Sequence, residues 1–155
     1  MRLDNPSLTI RKPDRPVSPL KEQPWRIILT HDASSIPADS ICLTDEFRDR
    51  TLVVENVFNY LELLKKLYNN KKIGTILLEA GGCLVREFLK AGLVDEWVGF
   101  YAPIIIGGGT DGVAPGPFLE HEAHLEQPVV NIFGDDVSVS YTHLRAHETL
   151  RHLVC

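Results

Sequence analysis

Residues 73–92 read IGTILLEAGGCLVREFLKAG, and this stretch decides the fold. The segment from Ile73 to Glu79 is nearly continuous in isoleucine and leucine after Gly74, which predicts a strand buried on both faces. Two glycines follow, and the pattern from Cys83 to Ala91 predicts a short helix that Gly92 closes. A strand, a glycine turn and a helix in this order are typical of an α/β domain.

Apolar runs on both sides of this stretch extend the predicted sheet. Short runs rich in β-branched and aromatic residues favour strands, and a 3.6-residue apolar period favours a helix. The predicted elements are strands at 25–30, 40–43, 51–54, 97–101 and 103–106, a helix at 55–69, and a closing hairpin of 129–133 and 137–141. The fold class is therefore α/β, with a mixed sheet flanked by helices.

Composition narrows the class of protein. The chain has 155 residues, 44% apolar and 24% charged, which is typical of one globular domain. A net charge of −5 argues against a nucleic-acid or membrane-surface partner. Three widely spaced cysteines predict neither a disulfide framework nor a zinc ribbon, which favours a reducing, cytoplasmic compartment. No apolar run approaches the roughly 18–20 residues that span a bilayer.

The residues from Glu79 to Leu84 form the segment with the clearest chemical meaning. Backbone N–H groups at a helix N-terminus attract anions, and glycine lets a phosphate approach the backbone closely. The alternative is that Gly81 and Gly82 only make a tight turn, since the spacing fits neither G-x-G-x-x-G nor a Walker A loop. Glu79 ends a predicted strand, where α/β sheets place ligands, although a capping or ion-pair role stays open.

Several ordered motifs resemble the reductase domain of the bifunctional riboflavin-biosynthesis deaminase/reductase. They are DNPSLTIR at 4–11, TILLEAGG at 75–82, and the segments 88–96 and 102–108. The resemblance covers roughly residues 3–142 and implies a dihydrofolate-reductase-like mixed sheet that lacks its first strand. It divides the chain into a partial reductase domain, 1–142, and an unrelated or disordered tail, 143–155.

The resemblance also implies an activity and a set of ligand positions. The family uses NADPH to reduce the ribosyl group of 5-amino-6-(5-phosphoribosylamino)uracil to the ribityl form, and it forms homodimers. The implied substrate-binding residues are Leu8, Arg11 and Glu79. The implied cofactor-binding residues are Asp4, Gly81, Gly82, Cys83, Leu84, Val85, Arg86 and Glu87. No catalytic residue and no metal site are assigned.

Some of these positions make physical sense beyond the resemblance. A guanidinium at Arg11 offers a bidentate fork for a substrate phosphate, although an exposed surface arginine is the plainer interpretation. Leu8 could equally be a packing residue. Cys83 is expected to be a small packing residue, because no histidine partner lies nearby in sequence. The later residues of the helix are expected to serve as scaffold.

The sequence also departs from the family it resembles. The Ser-x-Asp-Gly-like strand that precedes the DNP motif is missing, and so is the zinc-deaminase signature. Losing a central strand exposes unpaired backbone, so we expect this chain alone to be unstable or inactive. Two alternatives stay open: a dihydrofolate-reductase-like reductase of another pteridine-like compound, and a non-catalytic NADP-binding remnant.

Overall fold

The computed structural model describes residues 4–11, 23–105, 107 and 124–145, and it divides the chain into two compact units, Met1–Gly74 and Thr75–Cys155. The first unit contains β1 (Arg26–Thr30), α1 (Ile41–Thr44), β2 (Thr51–Glu55) and α2 (Tyr60–Lys71). The second contains α3 (Gly82–Lys90), β3 (Glu96–Tyr101), β4 (His124–Phe133) and β5 (Asp136–Arg145).

The first unit is built on a parallel pair of strands. β1 and β2 run side by side with Arg26 opposite Thr51 and Thr30 opposite Glu55. This confirms the strands predicted at 25–30 and 51–54. The buried apolar side chains of this unit are Ile28, Cys42, Phe47 and Leu67.

The helix α2 begins later than its sequence predicts. Asn59 is its N-cap, and the side-chain oxygen accepts the amide of Glu62 at 3.0 Å. The predicted start at residue 55 is wrong because Glu55 ends β2 and the cap lies four residues beyond it. At the other end Lys72 takes a left-handed φ of 57°, and its amide donates to the carbonyl of Tyr68 at 2.9 Å.

The strand predicted at residues 40–43 is wrong, since a short helix, α1, occupies 41–44. Periodicity cannot separate helix from strand in a run of four apolar residues. Ser40 stands at the N-cap position of α1 with non-helical backbone angles, although its side chain makes no capping hydrogen bond. The hydroxyl of Thr44 donates a hydrogen bond to the carbonyl of Ser40 at 3.1 Å.

The second unit contains an antiparallel sheet in the order β3–β5–β4. The predicted hairpin is confirmed, with a two-residue loop in which Gly134 has a φ of 63°. Positive φ at this loop position favours glycine, which has no Cβ to clash. The backbone of β5 continues to Arg145, whereas residues 146–155 lie outside the described part of the chain. The division at residue 142 therefore stays a prediction.

The buried strand predicted from Ile73 to Glu79 does not form. This segment has no assigned strand, and the side chains of Ile76 and Leu77 are 40% and 86% exposed. Apolar composition favours an extended chain, but a strand also needs a hydrogen-bonded neighbour. Neither of the two sheets in the described residues includes this segment. Residues 103–105, also predicted to be β-like, form no strand either, and Ile106 lies outside the described residues.

Candidate active site

The helix α3 begins at the two glycines that the sequence singles out. Gly81 is the N-cap and Gly82 is the first helical residue. The amides of Leu84 and Val85 both donate to the carbonyl of Gly81, at 3.0 and 3.3 Å. The amides of Gly82 and Cys83 therefore have no partner within the helix, as the first turn of any helix requires. Together with the helix dipole they offer donors to an anion.

The backbone at Gly81 does not require a glycine. Its φ of −68° and ψ of 156° are open to any residue. A Cβ built at this position would have no atom of the described structure within 4 Å. Neither a left-handed turn nor close packing therefore explains this glycine. The open space in front of α3 suits a ligand that approaches the backbone.

The later residues of α3 serve the helix itself. Val85 and Phe88 are buried, and Glu87 accepts from Arg86 Nε at 3.2 Å and lies 3.7 Å from Lys90 Nζ. Gly92, with a φ of 64°, ends the helix as predicted. Its amide and that of Leu93 donate to the carbonyls of Leu89 and Phe88, which completes a Schellman motif.

Two predicted site residues of the second unit are exposed to solvent. Cys83 has an exposed free thiol, so the expectation that it is a packing residue is wrong. The first turn of α3 turns this side chain outward, while Val85 turns inward. Glu79 is also exposed, and it lies in the irregular segment before Gly81 rather than at the end of a strand.

The predicted substrate segment, residues 4–11, lies in the first unit. Asp4 and Arg11 are exposed, and Leu8 is half-buried with a left-handed φ of 51°. Arg11 Nη2 donates to the hydroxyl of Ser7 at 3.0 Å, and this hydroxyl lies 3.1 Å from that of Thr9. An exposed guanidinium steadied by a neighbouring hydroxyl is well suited to bind an anion.

Arg26 is the polar centre of the first unit. Its side chain is 2% exposed, and it uses all five of its N–H donors. Two of them form a bidentate pair with the carboxylate of Asp45, at 2.6 and 2.8 Å. The other acceptors are the carbonyls of Ser7 and Cys42 and the hydroxyl of Thr51. One side chain thus joins the substrate segment to α1 and β2.

Three further contacts hold the substrate segment. The side-chain amide of Gln23 pairs with the backbone of Ile10, accepting from its amide at 2.9 Å and donating to its carbonyl at 3.3 Å. Asn5 Oδ1 accepts the amide of Ile41 at 2.9 Å. The thiol of Cys42, whose pKa is raised by burial, donates to the carbonyl of Pro6 at 3.1 Å.

The ion pair predicts a pH dependence of stability. Hydrogen bonds from Arg26 hold the pKa of Asp45 below its usual range. A carboxylate with a lowered folded pKa stabilises the fold above about pH 4, and this contribution is lost as the pH falls through the folded pKa. We expect the urea midpoint to fall between about pH 5.5 and about pH 3, and to fall less in Asp45→Asn.

The matched control for this measurement is Asp39→Asn, which changes an exposed carboxylate of the same unit. Its urea midpoint should follow the wild-type pH profile. If Asp45→Asn keeps the full wild-type slope, the ion pair does not cause the dependence.

Sequence reasoning missed Gln23, Arg26 and Asp45. One signal was available: Arg26 is a charged residue in the apolar run WRIILT, and a charge in a buried strand needs a partner. Nothing in the sequence names Asp45 as that partner, because 19 residues separate the two.

The chain is similar to known proteins over most of its length. The sequence model of the family described as the RibD C-terminal domain matches residues 1–139. The riboflavin biosynthesis protein RibD of Mycobacterium tuberculosis is 32% identical over 110 residues, which cover 71% of this chain and 30% of that protein. The chain therefore spans less than a third of the length of this relative.

Two solved structures share the fold. RibD of Acinetobacter baumannii matches with a TM-score of 0.72 at 22% identity, covering 90% of this chain and 43% of that chain. A riboflavin biosynthesis reductase of Saccharomyces cerevisia matches with a TM-score of 0.57 at 12% identity, covering 91% and 70%. These matches confirm the predicted mixed α/β fold of the dihydrofolate-reductase-like type. Since the family match covers most of the chain as well, the protein belongs to the RibD C-terminal domain family.

Proposed function

We propose that this chain is a reductase of riboflavin biosynthesis that uses NADPH to reduce 5-amino-6-(5-phosphoribosylamino)uracil to its ribitylamino form. The start of α3 supports the cofactor part of the proposal. Gly81 leaves open space in front of two amides that have no helical partner, and both features suit a dinucleotide phosphate. The solved yeast relative is itself described as a riboflavin biosynthesis reductase.

The cofactor, when bound, supplies the hydride that goes to the sugar carbon of the substrate. The chain's own residues bind and orient the two molecules. The amides of Gly82 and Cys83 hold the phosphate, and Gly81 keeps the approach open. Leu84, Val85, Arg86 and Glu87 support this turn as parts of α3, while Asp4 contributes a polar contact from the substrate segment.

On the substrate side, Arg11 binds the phosphate through its guanidinium. Its exposure and its contact with Ser7 support this role. Leu8 provides an apolar contact beside it, and Glu79 supplies an exposed carboxylate that can accept hydrogen bonds from substrate hydroxyl groups.

We also propose a homodimer and a cytoplasmic location. One face of the sheet of the second unit carries the exposed apolar side chains of Tyr101, Val130 and Ile132, at 58–75%. An apolar surface of this kind favours a protein partner, and a second copy agrees with the homodimer that the family resemblance implies. Cys42 and Cys83 are both free thiols, as a reducing compartment favours. None of the helices in the described ranges is long and apolar enough to span a bilayer.

The function is tested in two steps on the chain as it exists. Titration of NADPH, followed by fluorescence, should show saturable binding, and addition of the phosphoribosyl substrate should then cause NADPH oxidation. Such turnover would contradict the expectation that this chain alone is unstable or inactive. Binding without turnover would favour a non-catalytic NADP-binding remnant. Turnover of another pteridine-like compound in place of the phosphoribosyl one would favour the alternative substrate. Absence of NADPH binding would overturn the proposal.

Gly81→Ala should separate cofactor binding from stability. We expect NADPH affinity to fall about tenfold, because a methyl group would stand where the phosphate approaches. The free energy of unfolding should change by less than about 1 kcal/mol, because alanine lowers the conformational entropy of the unfolded chain and this offsets the weaker N-cap. The matched control is Gly74→Ala, where an added Cβ also meets nothing within 4 Å. Equal NADPH affinities in the two variants would contradict the assignment.

A further inference from the structure

The backbone of the substrate segment is strained at the residue where it meets its proposed ligand. Leu8 has a φ of 51°, and Asn5 has a φ of 38°. Asparagine tolerates the left-handed region, but leucine rarely enters it because its Cβ approaches the carbonyl oxygen. A leucine persists there only where its surroundings hold the chain in place.

Two buried side chains hold the chain on either side of Leu8. Arg26 Nη1 donates to the carbonyl of Ser7 at 3.0 Å. The side-chain amide of Gln23 pairs with both backbone groups of Ile10, at 2.9 and 3.3 Å. Gln23 and Arg26 are each 3% exposed. Because they are buried, they influence a ligand through the backbone and not by touching it.

The two anchored residues flank the strained position and lead directly into Arg11. A guanidinium binds a phosphate bidentately only when its direction is set, and an exposed arginine side chain starts with many directions. Fixing the carbonyl of Ser7 and the backbone of Ile10 limits where the Cα of Arg11 can lie. The hydroxyl of Ser7, which accepts from Arg11 Nη2 at 3.0 Å, then limits the side chain itself.

We propose that Gln23 and Arg26 are positioning residues for the substrate phosphate: they hold the strained backbone at Leu8 and so present Arg11 to the ligand. The inference rests on the proposed function, because it takes the phosphate group of the substrate as the ligand of Arg11. Neither residue belongs to the motifs by which the sequence resembles its family.

The probe is ribose 5-phosphate, titrated into the whole chain by calorimetry. Gln23→Met keeps the size of the side chain and removes both hydrogen bonds to Ile10. Arg26→Lys keeps the positive charge and removes the planar guanidinium with its paired N–H donors. We expect each variant to bind ribose 5-phosphate about tenfold more weakly than wild type, and to bind NADPH within about twofold of wild type. Phosphate-free ribose should show no such difference.

A double-variant cycle tests whether Gln23 acts through Arg11. Arg11→Met removes the guanidinium, so Gln23→Met added to it should weaken ribose 5-phosphate binding no further. Additive losses would overturn the inference, because they would show an effect independent of Arg11. An unchanged affinity in folded Gln23→Met would overturn it too, as would an equal loss of NADPH binding. A wild-type chain that binds no ribose 5-phosphate would overturn the proposed substrate, and the inference with it.

Discussion

Replacing Arg26 with methionine should lower the free energy of unfolding by about 3–5 kcal/mol. The Arg26 side chain is 2% exposed and neutralises the carboxylate of Asp45. Without it, this carboxylate would remain partly buried with no cationic partner, keeping only the hydrogen bond from the amide of Phe47. The carbonyl of Ser7 would lose its hydrogen bond from Arg26 as well. Urea denaturation at pH 7 measures the difference in free energy of unfolding between Arg26→Met and wild type. If the loss exceeds the stability of the protein, the variant should show no cooperative unfolding transition.

Two further variants are the controls for this stability measurement. Arg48→Met removes an exposed arginine of the same unit and should change stability by less than about 0.5 kcal/mol. Arg26→Met combined with Asp45→Leu should regain part of the loss, because no buried charge is then left alone. A loss below about 1 kcal/mol in Arg26→Met would show that the pair behaves like a surface ion pair.

Phe88→Ala should destabilise the protein by about 3–5 kcal/mol, because it leaves a cavity where a large ring is buried. Phe88 is 5% exposed, and its backbone carbonyl accepts the amide of Leu93 in the motif that ends α3. Alanine retains that carbonyl, so the loss reports packing of the ring and not of the cap. NADPH affinity should fall too, since α3 carries the proposed phosphate site.

The control for this variant is Phe58→Ala. That ring is 88% exposed, so its removal should change the urea midpoint little and leave NADPH affinity at the wild-type value. If the two variants lose the same stability, burial of Phe88 is not what anchors α3.

Local patterns allowed much of the fold to be predicted. The hairpin at 129–141 is recognisable because two alternating runs enclose a glycine turn, and α3 because Gly92 marks its end. Both signals lie within a few residues of the structure they specify. The apolar pattern predicts that α2 begins at residue 55, five residues before its observed start at Tyr60, because this pattern continues upstream of the N-cap Asn59.

Long-range features could not be predicted in this way. The segment 73–79 is apolar enough for a buried strand, but whether it forms one depends on a neighbour that its own residues do not specify. The contacts of Gln23 with Ile10 and of Arg26 with Asp45 join residues 13 and 19 positions apart. For the candidate site, the motifs predict which residues face the ligands, whereas the buried side chains of Gln23 and Arg26 that contact the segment 4–11 become visible only in the folded chain.

The five hydrogen bonds of Arg26 should also affect how the first unit opens and closes. They close loops of 16 to 25 residues at a single point, joining Ser7, Cys42, Asp45 and Thr51. Once the first loop has closed, the ends of the others are already near, and each further closure costs little entropy. The amides of Ser7, Cys42, Asp45 and Thr51 should therefore open and close together with those of β1 in native-state hydrogen exchange. The strained segment at Leu8 would then acquire its shape at the same moment as the strand that carries Arg26.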